Sequence, residues 1–191
     1  VLTLTNARIR EALAALGYPA PAPGQLHLLG VRGAVPVSAN VLRPGANHLD
    51  RYDDSLVLFG TTLHAYRATV DPGKRYTDQP QNAAGCAHLV NGYWRYQRGL
   101  HKGIPALIQA APVTVRRDRD RDGDDEAGEP VETGMFGINL HPGGNGAQPV
   151  GPWSAGCQVI PREGWPSFWE HVLASGQRHF GYWLLDAKDL S

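Results

Sequence analysis

A mostly β (α+β) fold with a short N-terminal helix and one C-terminal helix is the class this sequence predicts. Short β-type runs fill most of the chain, turn residues break them at close intervals, and helical periodicity is confined to two segments. The breaks are supplied by 23 glycines and 15 prolines.

The elements follow in order. Within Thr5–Gly17, Ile9, Ala12, Leu13 and Leu16 recur at helical spacing, Thr5 or Asn6 can cap the start, and Gly17 suits the exit. A hinge with Pro19, Pro21 and Pro23 leads to a strand over Leu26–Val31. Further β-type runs are Ser55–Phe59, His64–Val70, Tyr93–Gln97 and Val113–Arg116, punctuated by Asp71-Pro72-Gly73, Asn91-Gly92 and Lys102-Gly103. Met135–Leu140 reads as a strand that delivers His141 at its end. Trp165–Ala174, with Pro166 in its first turn, is the second helix, and Phe180–Leu185 reads as a buried closing strand.

A length of 191 residues suits one domain, residues 1–191, with 1–24 as a helical N-terminal appendage. The 18 basic and 18 acidic residues cancel, which argues against nucleic acid or an anionic membrane as partner. No apolar run approaches the roughly 18 residues that a membrane span needs, so no membrane span is expected and the chain reads as soluble. Val1-Leu2-Thr3-Leu4 shows no basic-then-apolar leader. Oligomeric state is not legible. Cys86, set among small residues, reads as a small buried hydrophobe.

Cys157 has different neighbours. It ends the run Trp153-Ser154-Ala155-Gly156-Cys157, and His141 stands 16 positions upstream across a Gly/Pro-rich loop. An imidazole beside a thiol can take its proton and leave a strong nucleophile. Ser154, Ala155 and Gly156 permit a tight turn whose N–H groups can meet an oxyanion. The opposing reading is a buried structural thiol beside a loop histidine. Adjacent glycines after His141, and Gly-Cys in a Pro/Gly-flanked turn, are poor core material, so the enzyme reading is preferred.

The strand ending in His141, the loop, and Ser154-Ala155-Gly156-Cys157 resemble the L,D-transpeptidase (YkuD-type) family. That family carries a strand ending in His, a loop of similar length, and Ser-His-Gly-Cys followed by an apolar residue and Arg or Asn. A Ser-x-Gly-Cys-Gln version in similar phage and bacterial proteins matches Ser154–Gln158 better. The resemblance covers about residues 134–161. It implies an L,D-transpeptidase-like β-sandwich or barrel in which Cys157 is the nucleophile and His141 its base. Ser154, Ala155 and Gly156 complete the oxyanion turn. It also implies peptidoglycan or its stem peptides as partner, an acyl-enzyme thioester, no cofactor for catalysis, and a place in the cell envelope. Ala155 stands where the family has a second His, and Gln158-Val159 supplies no Arg or Asn, which puts the acceptor in doubt and tips the expectation towards hydrolysis (L,D-carboxypeptidase or endopeptidase) over transpeptidation.

His101, in the glycine-flanked turn Gly99-Leu100-His101-Lys102-Gly103, is expected in the cleft, either orienting His141 or binding a substrate carboxylate with Lys102. A surface turn histidine is its plain alternative. Trp153, Gly143 and Gly144 are assigned to substrate binding. Two rival functions stay open: a non-catalytic cell-wall-binding or phage structural module with an unused thiol, and a zinc hydrolase built on Cys157, His141 and His101.

Asp118–Glu129 fits the calcium loop D-x-D-x-D-G-x5-E, with Asp118, Asp120, Asp122, Asp124, Glu126 and Glu129 as candidate ligands for a structural Ca²⁺. The flanks read as strands, and Pro112 and Pro130 oppose helices, so the loop is not an EF-hand. Its expected role is to pin a hairpin whose second strand carries His141. A solvated hairpin tip that needs no ion is the alternative.

Overall fold

The computed structural model describes residues 1–125 and 127–191. The chain enters through β1 (Leu2–Thr3) and α1 (Asn6–Ala15). Thr5 caps α1 by accepting the Arg8 N–H at 3.1 Å, and Ile9 and Leu13 are buried one helical turn apart. Then come β2 (Leu26–Arg32), β3 (Ala34–Ser38), β4 (Val41–Pro44), β5 (Asp54–Gly60), β6 (His64–Ala68) and the one-turn α2 (Lys74–Asp78). The middle of the chain supplies β7 (Cys86–Leu89), β8 (Gly92–His101), β9 (Ile104–Gln109), β10 (Val113–Asp118) and β11 (Val131–Gly134). The short β12 (Leu140–Pro142) and β13 (Gln158–Ile160) precede α3 (Trp165–Ala174) and β14 (His179–Asp186).

The expectation of a mostly β fold holds. The main sheet has the order β13-β12-β9-β8-β14-β2-β5-β6, and two three-stranded sheets flank it, β1-β4-β3 and β11-β10-β7. Thr69, just past β6, bridges Val159 of β13 through two 2.9 Å backbone bonds, so the main sheet nearly closes on itself as a barrel. β2 lies between β14 and β5 and is buried along its whole length, which explains why apolar residues occupy both of its faces.

Alternation along β2 divides the core in two. Leu26 and Leu28 face Tyr96, Leu140, Ile160 and the α3 residues Phe168 and Val172. Leu29 and Val31 face Ile9 and Leu13 of α1, together with Phe59 and Trp183. Residues 1–24 therefore contribute Leu2, Leu4, Ile9 and Leu13 to a shared core.

Met135–Leu140 departs from the strand expected there. Residues 135–139 form no ladder; the Gln109 side chain accepts the Phe136 and Ile138 N–H groups at 3.2 and 2.8 Å in place of a neighbouring strand. The strand begins only at Leu140, so His141 sits inside it rather than beyond its end.

Candidate active site

Two short strands bring the thiol and the imidazole together. β12 pairs in parallel with β13, His141 opposite Val159, and Cys157 immediately precedes β13. His101 arrives from the end of β8, on the strand pair that continues the sheet from β12 through β9. One ring nitrogen of His101, one of His141 and Cys157 Sγ lie within 4.8 Å of one another. They border a cavity of about 250 Å³ that Tyr76, Lys102, Phe136, Trp153 and Ala155 also line.

The tautomer of each histidine follows from its partner. His141 Nδ1 lies 3.0 Å from the Pro142 carbonyl oxygen, which can only accept, so the proton sits on Nδ1 and Nε2 carries the lone pair of a base. His101 is set the opposite way. Asn139 Oδ1 accepts the Gln109 backbone N–H at 3.1 Å, which fixes the amide orientation and makes Asn139 Nδ2 a donor. That nitrogen is 3.0 Å from His101 Nδ1, so His101 Nδ1 accepts and its proton is on Nε2.

Burial keeps the nucleophile and base neutral at rest. It pushes the Cys157 thiol above its ordinary range, against the opposing pull of the Asn139 backbone N–H and the Lys102 charge. It lowers His141 to about 4, helped by His101 and Lys102 and opposed by the Pro142 hydrogen bond. The thiol donates to the Gly137 carbonyl at 3.4 Å. This is a thiol beside a free base, not a preformed thiolate–imidazolium pair, and the proton must cross as the sulfur attacks.

The nucleophile turn is pinned from several sides. Ser154 Oγ donates to the Cys157 carbonyl at 2.7 Å and accepts the Gly156 N–H at 3.1 Å. Gly156 has φ 118°, and a Cβ there would stand 2.5 Å from the Ala87 carbonyl oxygen, so only glycine fits. One expectation changes accordingly. Ser154 is fully buried and holds the turn, but the Gly156 N–H is already used. Among the described residues the Ala155 and Cys157 N–H groups have no acceptor, and these two are the available oxyanion donors. Gln158 is buried; it accepts from Tyr182 OH at 2.7 Å and donates to Val70 O and Gly156 O, which gives the residue after the thiol a structural purpose.

Gly143 and Gly144 do not line the cavity at Cys157. The Gly143 carbonyl accepts from Tyr52 OH at 2.9 Å, and a Cβ on Gly144 would fall 2.3 Å from that hydroxyl. Both glycines let the loop pass close to Trp153 and Tyr52. Trp153 does face the cavity, with the Arg162 guanidinium 4.7 Å from the centre of its ring. Sequence reasoning missed Asn139, Gln109 and the Pro142 carbonyl, none of which belongs to a residue pattern.

The three side chains do not fit a shared zinc ion as arranged. A metal takes an imidazole lone pair in the ring plane at about 2 Å. The two rings are parallel within 4° with centroids 4.2 Å apart, so their planes share no such point.

The acidic loop closes only in part. Asp118, Asp120 and Glu129 bring carboxylate oxygens within 4.8 Å of one another; Asp122 and Asp124 stand outside that group, and Glu126 lies outside the described residues. Asp118 uses its oxygens to accept the Arg121 and Gly123 N–H groups at 2.6 and 3.1 Å, while Asp122 accepts from Asp124 N. Three converging carboxylates suit a hard cation that keeps part of its water shell. The loop joins β10 to β11, not to the strand of His141, which corrects the role expected for it.

Comparison with protein-family models, curated proteins and solved structures finds no match for this chain.

Proposed function

We propose that the chain is a cysteine-nucleophile acyl-transfer enzyme acting on peptidoglycan stem peptides through a Cys157 thioester, with hydrolysis as the outcome. The observation that carries this reading is the His141–Cys157 juxtaposition, with the Nδ1–H tied to the Pro142 carbonyl and Nε2 left as a base. Cys157 Sγ attacks a carbonyl beside a D-centre, and its proton passes to His141. The oxyanion takes the Ala155 and Cys157 N–H groups, the amide C–N bond breaks, and His141 returns the proton to the leaving amine. Water then cleaves the thioester and restores the thiol. The choice of stem peptides rests on the Ser-x-Gly-Cys-Gln resemblance and on the aromatic wall that Trp153 offers. This chemistry needs no metal.

Ca²⁺ is proposed only as a structural ligand of Asp118, Asp120 and Glu129, where it would hold the β10–β11 connection.

Wild type and Cys157→Ala incubated with purified peptidoglycan fragments and read by mass spectrometry test the proposal. Shortened fragments from the wild type alone are expected. No mass change over a broad fragment panel would favour a binding module with an idle thiol, and stoichiometric zinc by elemental analysis would favour the hydrolase rival.

A further inference from the structure

A second cavity, of about 360 Å³, lies where β2, the β4–β5 connection, β7 and the acidic loop meet. None of the residues that line it lines the cavity at Cys157. Its floor is a closed polar group. Asp71 accepts from Arg32 and Asn47, and the guanidinium also donates to Asn91 and the Leu89 carbonyl. Gly123 supplies part of the wall. Asp118 accepts its N–H at 3.1 Å, and its backbone packs so close to Leu49 that a Cβ would fall 2.7 Å from that side chain.

His88 lines the same cavity and is only 1 % exposed. Its Nδ1 lies 3.2 Å from Asp71 Oδ1. Against the cost of burial, the Arg32 charge and the His88 and Asn47 hydrogen bonds hold the Asp71 carboxyl below the usual carboxylate range. An ionised carboxylate can only accept, so the neutral His88 ring carries its proton on Nδ1 and a lone pair on Nε2. That Nε2 is buried and has no hydrogen-bond partner. A buried acceptor left bare is costly, so this position calls for a donor from outside the chain.

Two further acceptors border the space. Asn47 gives Nδ2 to Asp71 and leaves its Oδ1 unused. Asp125 pairs with Arg116 and Asp186 with Lys188, whereas among the described residues no cation pairs with Asp124. Four carboxylates line the cavity against one guanidinium, which disfavours an anion. The arrangement is not a metal cage either. Among the described residues, the groups that bring three ligand atoms within 4.8 Å of one another do not include His88.

We infer that this cavity binds a small primary alkylammonium ion, whose three N–H donors meet His88 Nε2, Asn47 Oδ1 and the Asp124 carboxylate. The donor count fits, because an ammonium offers three N–H groups and accepts none. The volume fits too, at the lower end of the range of about 300–1,000 Å³ for small-molecule sites. No bond is made or broken, and the inference stands apart from the acyl-transfer reading.

The test titrates the full chain with n-butylammonium chloride, with 1-butanol as the uncharged control and Zn²⁺ as the metal control. Heat of binding and the histidine nitrogen-15 signals are read together. Saturable binding that moves the His88 Nε2 signal, with no response to 1-butanol, is expected. Asp124 is exposed, so Asp124→Asn spares the buried group and should weaken binding about 10-fold through loss of a charge-assisted hydrogen bond. No saturable binding, an equal response to 1-butanol, or an unchanged affinity in Asp124→Asn overturns the inference. Zn²⁺ taking His88 Nε2 in preference to the amine overturns it in favour of a metal site.

Discussion

The imidazoles of His101 and His141 lie face to face, 4.2 Å between centroids and 4° from parallel, yet hydrogen bonding gives them opposite tautomers. His141 turns a lone pair outward through Nε2, and His101 turns a proton outward through the same atom. A stacked base and donor beside one thiol suit acyl transfer: one accepts the sulfur's proton, and the other meets negative charge on the substrate.

Nitrogen-15 NMR should find His141 protonated on Nδ1 and His101 on Nε2 at neutral pH. Asn139→Leu removes the donor that sets the second tautomer and should lower kcat/KM about 10-fold or more, with roughly 1–2 kcal/mol of lost stability from the broken relay. Identical tautomers in the two rings would contradict the relay.

The acid limb of activity should be displaced downward. His141 must be neutral to act, and burial lowers it to about 4, so kcat/KM should stay near its plateau from neutrality to about pH 5 and reach half near pH 4. The same shift couples to folding. In the unfolded chain a histidine takes its proton near pH 6.5, so the folded state should lose about 3 kcal/mol as pH falls from about 6.5 to 4, and less in His141→Gln. Urea melts across that window measure it. An acid limb centred near 6.5 would contradict the buried neutral base.

Cys157 should alkylate slowly with iodoacetamide at pH 7, and its rate should climb through pH 9, because burial disfavours the thiolate. Cys86, pushed up to about 12, should react more slowly still. Turnover flat across the pH range in which alkylation rises would mark base-assisted attack. A fast reaction at neutral pH would instead indicate a standing ion pair.

Calcium should raise the melting temperature of a calcium-stripped sample, and Asp120→Asn should abolish that rise by removing one of the three converging carboxylates. No shift in the wild type would reduce the loop to a solvated connection.

Asp71→Asn should cost about 3–5 kcal/mol, the usual result of breaking a buried pair on one side. Asp71 accepts from Arg32 Nε at 3.2 Å and from Asn47 at 2.8 Å, and His88 Nδ1 lies 3.2 Å away. The Arg32 guanidinium, itself buried, also donates to Asn91 Oδ1 and the Leu89 carbonyl. Two residues on, the Gly73 N–H donates to the Ser154 carbonyl at 2.9 Å, so the loss should also loosen the nucleophile turn and reduce kcat. Chemical denaturation and steady-state rates check the two effects.

Much of the architecture was legible locally. Trp165–Ala174 forms the helix its pattern implies, and β2 and β14 each extend only a residue or two past the apolar runs that announce them. Short strands escaped notice because their registers depend on distant partners: β13 has three residues and exists by pairing with β12 and bridging Thr69. Residues 135–139 look like a strand because they are apolar, but a glutamine side chain satisfies their amides. In the site, Cys157, His141 and His101 were legible because reactive residues in glycine-rich turns are unusual. The tautomers were not, since they turn on the Pro142 carbonyl and the Asn139 amide. Glycine beside a candidate base reads equally as substrate access or as close packing, and Gly143 and Gly144 lie tight against Trp153 and Tyr52, a packing that depends on distant residues.

The most direct measurement is a rapid acid quench of wild type mixed with purified peptidoglycan fragments, followed by peptide mapping. A hydroxylamine-labile acyl mass on the peptide containing Cys157, accumulating before product and absent from Cys157→Ala, is the expected result. Product formation with no such adduct, or product formation that survives in Cys157→Ala, would contradict nucleophilic catalysis by Cys157.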